Sequence, residues 1–543
     1  MDMKHPYLKD LQAQLLGSVT DNPDALAHFS TDQSIFQATP EAVVYPQNTA
    51  DVRKVVQFAA ERALDKKPLA LIPRGKGSDL SGGAVGEGMH VVFPAHMNKL
   101  LRLERDTITV QPGIIFQTMQ QTLYTHGRFV AQIPAGAHYS TLGGLVASDS
   151  GGEKSIKYGN IRRAVKKLKV VLSDGSLIET GRISARELTR KKGLLTLEGE
   201  IYMAFNTLLT DNEDLIKSRQ FKDVPNTSGY DLWDVTGKSG SFDLTPLFIG
   251  SQGTLGLITE ITLTTLPYNP RSTLVVGFFD NIAHATEAVT HLKGLGPSAI
   301  EMVDKPLLEN YLDQRPGDLD DLVPPALPKL TLLVEFDNYS EIAQKLRSSR
   351  AARILRRHGG SVRVSADPVE QVALWKIRRA PVAAWLEEGQ HKALPFMEDA
   401  SVPVEKLSRL IDKTYKLLKK HDLKPALWGH AGTGSLRLNP QLDLAKKKDI
   451  DTLFALATEY SELVASLGGT LASSHGDGLL RSLSLKSQYG EDFVGLLTET
   501  KNIFDPHNIL NPAQKTGATE EYSRAHLRPS YGARHLHDFI VYT

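Results

Sequence analysis

Short apolar runs closed by glycine, proline or aspartate punctuate the first half of the chain. LALIPRG (69–75), HVVFP (90–94), ITVQPG (108–113) and LKVVLSDGSLIET (168–180) read as strands ending in turns. In the last of these, Asp174 and Gly175 sit where a tight primed turn wants them, which predicts a hairpin. Between the strands the apolar spacing lengthens to that of a helix. TADVRKVVQFAAERAL (49–64) is the clearest case, with Thr49 as the expected N-cap. The region 40–266 therefore reads as mixed α+β with many connections.

After LPYNP (266–270) the pattern changes and two similar units follow. TLVVGFFDN runs into the helical stretch IAHATEAVTHLKGLG and then AIEMV; TLLVEFDN runs into SEIAQKLRSSRAARILRRHGG and then SVRVS. Each is a strand, an Asp-Asn helix start, a helix, a glycine stop and a strand. Two βαβ units of this kind predict a separately built cap with helices over one sheet face. From about 400 to 512 the pattern is mainly helical, with two Gly/His loops. Beyond Lys515 periodicity fades, which predicts an irregular arm.

The chain has 543 residues, too many for one core. Its 41% hydrophobic and 23% charged residues are ordinary for a globular protein. A formal net charge of +1 gives no overall basic surplus for nucleic acid. The basic runs at 347–360 and 165–171 read as a solvated helix face and a strand edge. With no cysteine, disulfides, thiolate metal sites and thiol nucleophiles are excluded. No apolar run approaches the ~18 residues of a membrane span, and the first residues lack a signal-peptide pattern. The expected location is cytoplasmic, with at most peripheral membrane association.

Three glycine-rich segments carry the chemistry. PRGKGSDLSGGAV (73–85) follows a strand and holds four glycines, without the G-x-G-x-x-G spacing of a Rossmann unit. Successive glycine amides can form a nest for a pyrophosphate. The second segment, 133–165, adds Gly143-Gly144 and Gly151-Gly152 with Ser140, Thr141, Ser148 and Ser150. The third, FIGSQGTLGLITEITL (248–263), places Gly250, Gly253 and Gly256 before an alternating strand. By contrast, GKS at 237–239 has Leu232 where a phosphate loop needs its first glycine, and is chance.

In this order the three segments resemble the FAD-binding domain shared by vanillyl-alcohol oxidase and p-cresol methylhydroxylase. NTSGYDL (226–232), ALWKIRRA (373–380), PFMEDASVP (395–403), GHAGTGSLR (429–437), SHGDG (474–478) and IFDPHNILNP (503–512) resemble its D-lactate and glycolate dehydrogenase branch. The resemblance implies an α+β fold. A two-subdomain FAD-binding domain of the p-cresol methylhydroxylase type (40–268) follows an N-terminal helical segment (1–39). A ferredoxin-like α/β cap (269–399), a helical C-terminal segment completing the active site (400–514) and a tail (515–543) come after it.

It also implies FAD, with Arg74, Gly75, Lys76, Gly77 and Ser78 around the diphosphate. Pro134, Gly136, Thr141, Gly144, Ser148 and Gly152 would line the cofactor further along. Tyr158 and Gly159 would lie near it, Ile258 would meet it through the backbone, and Asn511 would reach the isoalloxazine. Relatives with covalent flavin carry a histidine where Ser78 stands, so non-covalent FAD is expected.

Oxidising a 2-hydroxy acid requires a hydride acceptor, a base for the hydroxyl proton and a cationic anchor for the carboxylate. Histidine suits the base, with an ordinary pKa of about 6.5. The resemblance gives that role to His475 and the anchor to Arg378, with Arg379 as a solvated neighbour. Val382 stands where some relatives have a hydroxyl, and Lys392 near where relatives carry a second cation. Relatives hold a divalent metal with two histidines and a glutamate. Here the positions are His430, Arg437 and Ser474, so only one ligand remains and no metal is expected. Arg437 with neutral His430 and Ser474 carries the same +1 as the ion with its three ligands. The Arg437 guanidinium is therefore expected in the ion's place.

The resemblance thus implies an FAD-dependent oxidoreductase acting on a D-2-hydroxy acid of the lactate, glycolate or 2-hydroxyglutarate class. Its electrons would pass to a quinone, an electron carrier or a redox partner protein. A same-fold oxidase of a sugar or aldonolactone, and a non-catalytic flavin-binding partner subunit, are the alternatives.

Overall fold

The protein is described by a computed structural model covering residues 5–338, 340–379, 392–424 and 426–531. Residues 5–268 hold a four-stranded and a five-stranded sheet, besides the short pairing of Arg128–Phe129 with Leu266–Pro267. In the first, Leu71–Arg74 and Ala42–Tyr45 flank Met89–Val92 in parallel, and Ser18–Thr20 adds an antiparallel edge. Helix Thr49–Leu64 covers it with Val52, Val55, Val56 and Ala59, an i, i+3, i+4, i+7 stripe that is fully buried. Its N-cap is Asn48, whose side chain accepts from the Asp51 amide, one residue before the expected Thr49. The second sheet is antiparallel, in the order 100–103, 107–110, 257–264, 165–171, 177–179.

The hairpin at 165–179 forms, but its turn differs from the primed turn. Leu172 and Ser176 close a three-residue loop in which Gly175 alone takes positive φ, at +80°. A primed two-residue turn would need positive φ at Asp174 as well.

The cap strands Thr273–Phe279, Ala299–Asp304, Leu330–Phe336 and Ser361–Ser365 lie in the order 4-1-3-2, all antiparallel to their neighbours. Each βαβ unit is therefore split, with a strand of the other unit between its two parallel strands. That is the ferredoxin-like arrangement. The second unit's helix, Glu341–Arg357, is capped by Ser340 rather than by the Asp-Asn pair. The cap does not end there. Strands Leu427–Gly429, Ser435–Leu438 and Ala400–Ser401 extend the same sheet to seven strands, so the helical C-terminal segment shares a sheet with the cap. This junction carries both Gly/His loops to the sheet's end.

The segment after Lys515 is not a loose arm over its described part. Lys515 is buried with Nζ 2.8 Å from Asp477 Oδ2, and helix Glu520–Ala525 follows. Leu527 bridges Phe36, and buried Arg528 donates to the Phe36 carbonyl. Contacts to an N-terminal partner, invisible to local periodicity, order it. Among the described residues, no helix is long and apolar enough to cross a membrane.

Candidate active site

The three glycine-rich segments converge on one cavity of about 290 Å³ that also reaches the cap. Its walls include Arg74, Gly75, Lys76, Gly77 and Ser78 from the first segment. Pro134, Gly136, Thr141, Gly144 and Ser148 come from the second, and Ile258 from the third. The loops approach too closely for side chains. A Cβ on Gly75 would lie 2.3 Å from Thr141 Oγ1. Gly77 has φ +74°, and a Cβ there would strike the Arg74 guanidinium at 2.0 Å.

Arg74 itself is buried and donates to the carbonyls of Ala84, at 2.8 Å, and Thr31, at 2.6 Å. Its guanidinium ties the first glycine loop to the Thr31 backbone. Thr141 caps the helix Leu142–Ser148, and Ser78 Oγ lies 2.9 Å from Ser140 Oγ.

Four expected cofactor residues do not line the cavity. Asn511 is buried, and its amide donates to the carbonyls of Gly83, at 3.0 Å, and Gln252, at 2.7 Å. It ties the first glycine loop to the third instead of reaching into the cavity. The Tyr158 hydroxyl donates to Asp337 of the cap at 2.9 Å, beside Lys154 and Lys157, which pair with the same carboxylate. Gly152 is needed for packing, because a Cβ would meet the Ile133 carbonyl oxygen at 2.0 Å. Gly159 ends the short helix Ser155–Tyr158 at φ +73°.

At the cap end the cavity is lined by Arg378, Glu398, Trp428, Arg437, Asn439 and His475. His475 Nδ1 lies 2.7 Å from Glu398 Oε2, and its Nε2 lies 3.3 Å from Arg437 Nη1. Asp399 accepts the amides of Ser474, at 2.9 Å, and His475, at 2.8 Å, and both serine hydroxyls of the loop. Arg437 Nη2 donates to Ser474 Oγ at 2.8 Å. Burial pushes the Glu398 carboxyl up, but His475 and Arg481 outweigh it and hold it well below the usual carboxylate range.

His430 does not line the cavity. It is buried with Nδ1 2.8 Å from Glu301 Oε1, and Glu301 Oε2 takes Arg378 Nε at 2.6 Å. Burial holds the His430 imidazole below its usual range. The expected catalytic His430 thus contacts the carboxylate that holds Arg378, not the cavity itself. Arg379 is exposed. Lys392 pairs through its strand with Leu442 and is not on the cavity wall. Val382 lies outside the described residues.

Residues 40–181 match the model described as "FAD binding domain", and residues 269–514 that of "FAD linked oxidases, C-terminal domain". The chain belongs to the FAD-linked oxidases. It is 28% identical to a glycolate oxidase subunit GlcD of Bacillus subtilis over 88% of this chain and 89% of that one. It is 29% identical to a D-2-hydroxyglutarate dehydrogenase of Pantoea ananatis over 94% of this chain, but it spans only 51% of that protein's length. A D-lactate dehydrogenase of Archaeoglobus fulgidus is 26% identical over 87% of this chain and 90% of its own. The fold is shared with p-cresol methylhydroxylase, at TM-score 0.68 and 15% identity over 95% of this chain and 96% of that one.

FAD is the cofactor of such an oxidase, and the glycine-walled cavity fits it. Close-approaching backbone amides and small hydroxyls suit a pyrophosphate. A divalent metal does not fit this oxidase. Glu398, Asp399 and His475 come together closely enough to ligate one. Yet Glu398 is already paired with Arg481, and Asp399 with the loop amides. The Arg437 guanidinium also lies against both carboxylates, at 3.9 and 3.4 Å. Two fixed guanidinium charges in that space oppose a third cation.

Glu301, Glu398, Asp399 and Arg481 were not singled out from the sequence. Glu398-Asp399 did carry a signal: adjacent carboxylates after PFM and before an apolar run, where charge is costly unless paired. Glu301, in the strand AIEMVD, offered the same signal.

Proposed function

We propose that this FAD-linked oxidase converts a D-2-hydroxy acid of the lactate, glycolate or 2-hydroxyglutarate class to the 2-oxo acid. One observation carries the reading. His475, Arg378 and Arg437 line the same cavity that the glycine loops wall. Bound FAD supplies a two-electron acceptor for the substrate's α-hydrogen. Arg378, held at Nε by Glu301, offers its Nη groups to the substrate carboxylate as a fork. His475 takes the hydroxyl proton at Nε2. Arg437 stands beside that nitrogen and stabilises negative charge as it grows on the hydroxyl oxygen. The names of the curated relatives support this substrate class, and the subunit name of one supports a protein partner or carrier as the electron acceptor.

An anaerobic panel of D-lactate, glycolate and D-2-hydroxyglutarate tests it. Bleaching of the yellow flavin by one of these acids is the expected result. A flavin that no 2-hydroxy acid bleaches would refute the reading.

A further inference from the structure

A neutral imidazole accepts a proton only at the nitrogen that keeps its lone pair. Two contacts decide which nitrogen this is in His475. Nδ1 lies 2.7 Å from Glu398 Oε2, and a carboxylate only accepts. Nε2 lies 3.3 Å from Arg437 Nη1, and a guanidinium only donates. Both contacts demand the same tautomer, with hydrogen on Nδ1 and the lone pair on Nε2.

We propose that Glu398 is the positioning residue of the site, holding His475 as the Nδ1–H tautomer so that Nε2 is its proton-accepting atom. This rests on the reading of His475 as the base.

Glu398 is built into the site for this purpose. Its side chain is 2% exposed. Oε1 takes Arg481 Nη1 at 2.5 Å, leaving Oε2 for the imidazole. Arg481 in turn donates from Nε to the Gly476 carbonyl at 2.9 Å and from Nη1 to the Glu398 carbonyl at 3.1 Å. One arginine therefore clamps the carboxylate to the loop that carries His475.

The next residue fixes the loop's backbone. Asp399 accepts the His475 amide, and it does so at φ +92°, a conformation that non-glycine residues adopt at a cost. That strained link lets two consecutive carboxylates address one loop, Glu398 at the ring and Asp399 at the main chain. The other groups facing Glu398 do not compete for Nδ1. Arg437 is 3.9 Å from Oε2, and burial raises the phenols of Tyr460 and Tyr531 so that both stay neutral. When the hydroxyl proton reaches Nε2, Glu398 balances the new imidazolium charge and Arg437 opposes it.

The test uses the FAD-loaded full chain and the acid that bleaches the wild-type flavin. Glu398→Gln should retain flavin and bind the acid with a similar Kd. Its flavin reduction should slow by on the order of 10²-fold or more, the scale of a tautomer error in a histidine–carboxylate pair. Glu398→Asp should recover part of the rate. Wild-type rates in Glu398→Gln, or a loss confined to Kd, would overturn the proposal.

A measurement without turnover separates this from the substrate reading. In ¹⁵N-histidine-labelled holoenzyme, with the His475 signals assigned by their loss in His475→Gln, Nδ1 should be protonated and Nε2 bare. A proton on wild-type Nε2 overturns the proposal even if an acid bleaches the flavin. If no acid bleaches it, the substrate reading fails while the tautomer is still decided.

Discussion

Arg437 Nη2 donates to Ser474 Oγ at 2.8 Å, so the two positions at which the family resemblance expects a metal-holding histidine and glutamate are in direct contact. Neither substitution makes sense alone. An arginine beside a retained glutamate would only neutralise it, and a serine without the arginine would leave Asp399 and Glu398 without that compensation. Arg437→Met should therefore lower turnover by about 10²–10³-fold, the worth of a donor aimed at developing negative charge. Steady-state assays before and after chelator treatment check both halves. The wild type should be indifferent to EDTA, and activity lost to EDTA and restored by zinc or manganese would count against the guanidinium's role.

The chain from His430 through Glu301 to Arg378 makes a different prediction. Glu301→Gln removes the anion that fixes Arg378 Nε, and His430→Gln loosens Glu301. Each should raise KM for the acid about tenfold, because one anchoring hydrogen bond loses its geometry. The effect on kcat should be smaller. Combined with Arg378→Met, Glu301→Gln should add little, since contacting residues are not additive. Fully additive effects would show that Arg378 is not oriented through Glu301.

Flavin retention separates the residues that wall the cavity from those that do not. Tyr158→Phe removes a hydroxyl that bonds to Asp337, so its flavin content should match the wild type. Asn511→Ala unties Gly83 from Gln252 and should weaken FAD binding about tenfold, as two buried carbonyls lose their donor. Flavin titration of the stripped proteins, followed by fluorescence, reads both.

Attachment of the flavin is testable by precipitation. Among the described residues lining the cavity, His475 is the only imidazole, its Nδ1 is held by Glu398, and Ser78 stands in the first loop. Acid-precipitated protein should release its flavin to the supernatant. A yellow pellet would contradict non-covalent binding.

Asp304 sets a pH dependence of stability in the cap sheet. Burial pushes its carboxyl up to about 7, against the amides of Leu307 and Leu427 and the Tyr415 hydroxyl. A raised acid binds its proton more tightly in the folded state. Its contribution is therefore full below its ordinary pKa of 3.8 and is lost as pH rises through 7. From pH 5 to pH 8 the loss is about 2–3 kcal/mol. Asp304→Asn should lack this component, so its melting temperature relative to wild type should improve between those pH values. An unchanged difference would mean that Asp304 is not raised.

The glycine-rich segments and the two cap units were legible because each depends on short-range pattern, whereas the role expected of His475 came with the family resemblance. Small residues where backbones must touch, apolar alternation and a helix stripe are written within about twenty residues of each other. The N-caps at Asn48 and Ser340 and the three-residue hairpin turn were misplaced only slightly, since neighbouring residue types compete for those positions. The tail was misjudged because Lys515, Arg528 and Leu527 find their partners at Asp477 and Phe36, far away in sequence.

The sequence by itself determined the cofactor-binding segments, the α+β class and the residue types available for proton and carboxylate handling. Tertiary structure decided what each does. Burial without water makes a charged side chain take the nearest opposite charge or carbonyl, and the fold chooses which is nearest. That places Arg74 on loop carbonyls, Tyr158 on the cap, Asn511 between two glycine loops and His430 behind Glu301. It also places Glu398, a residue in a different loop 77 positions away, on the ring of His475.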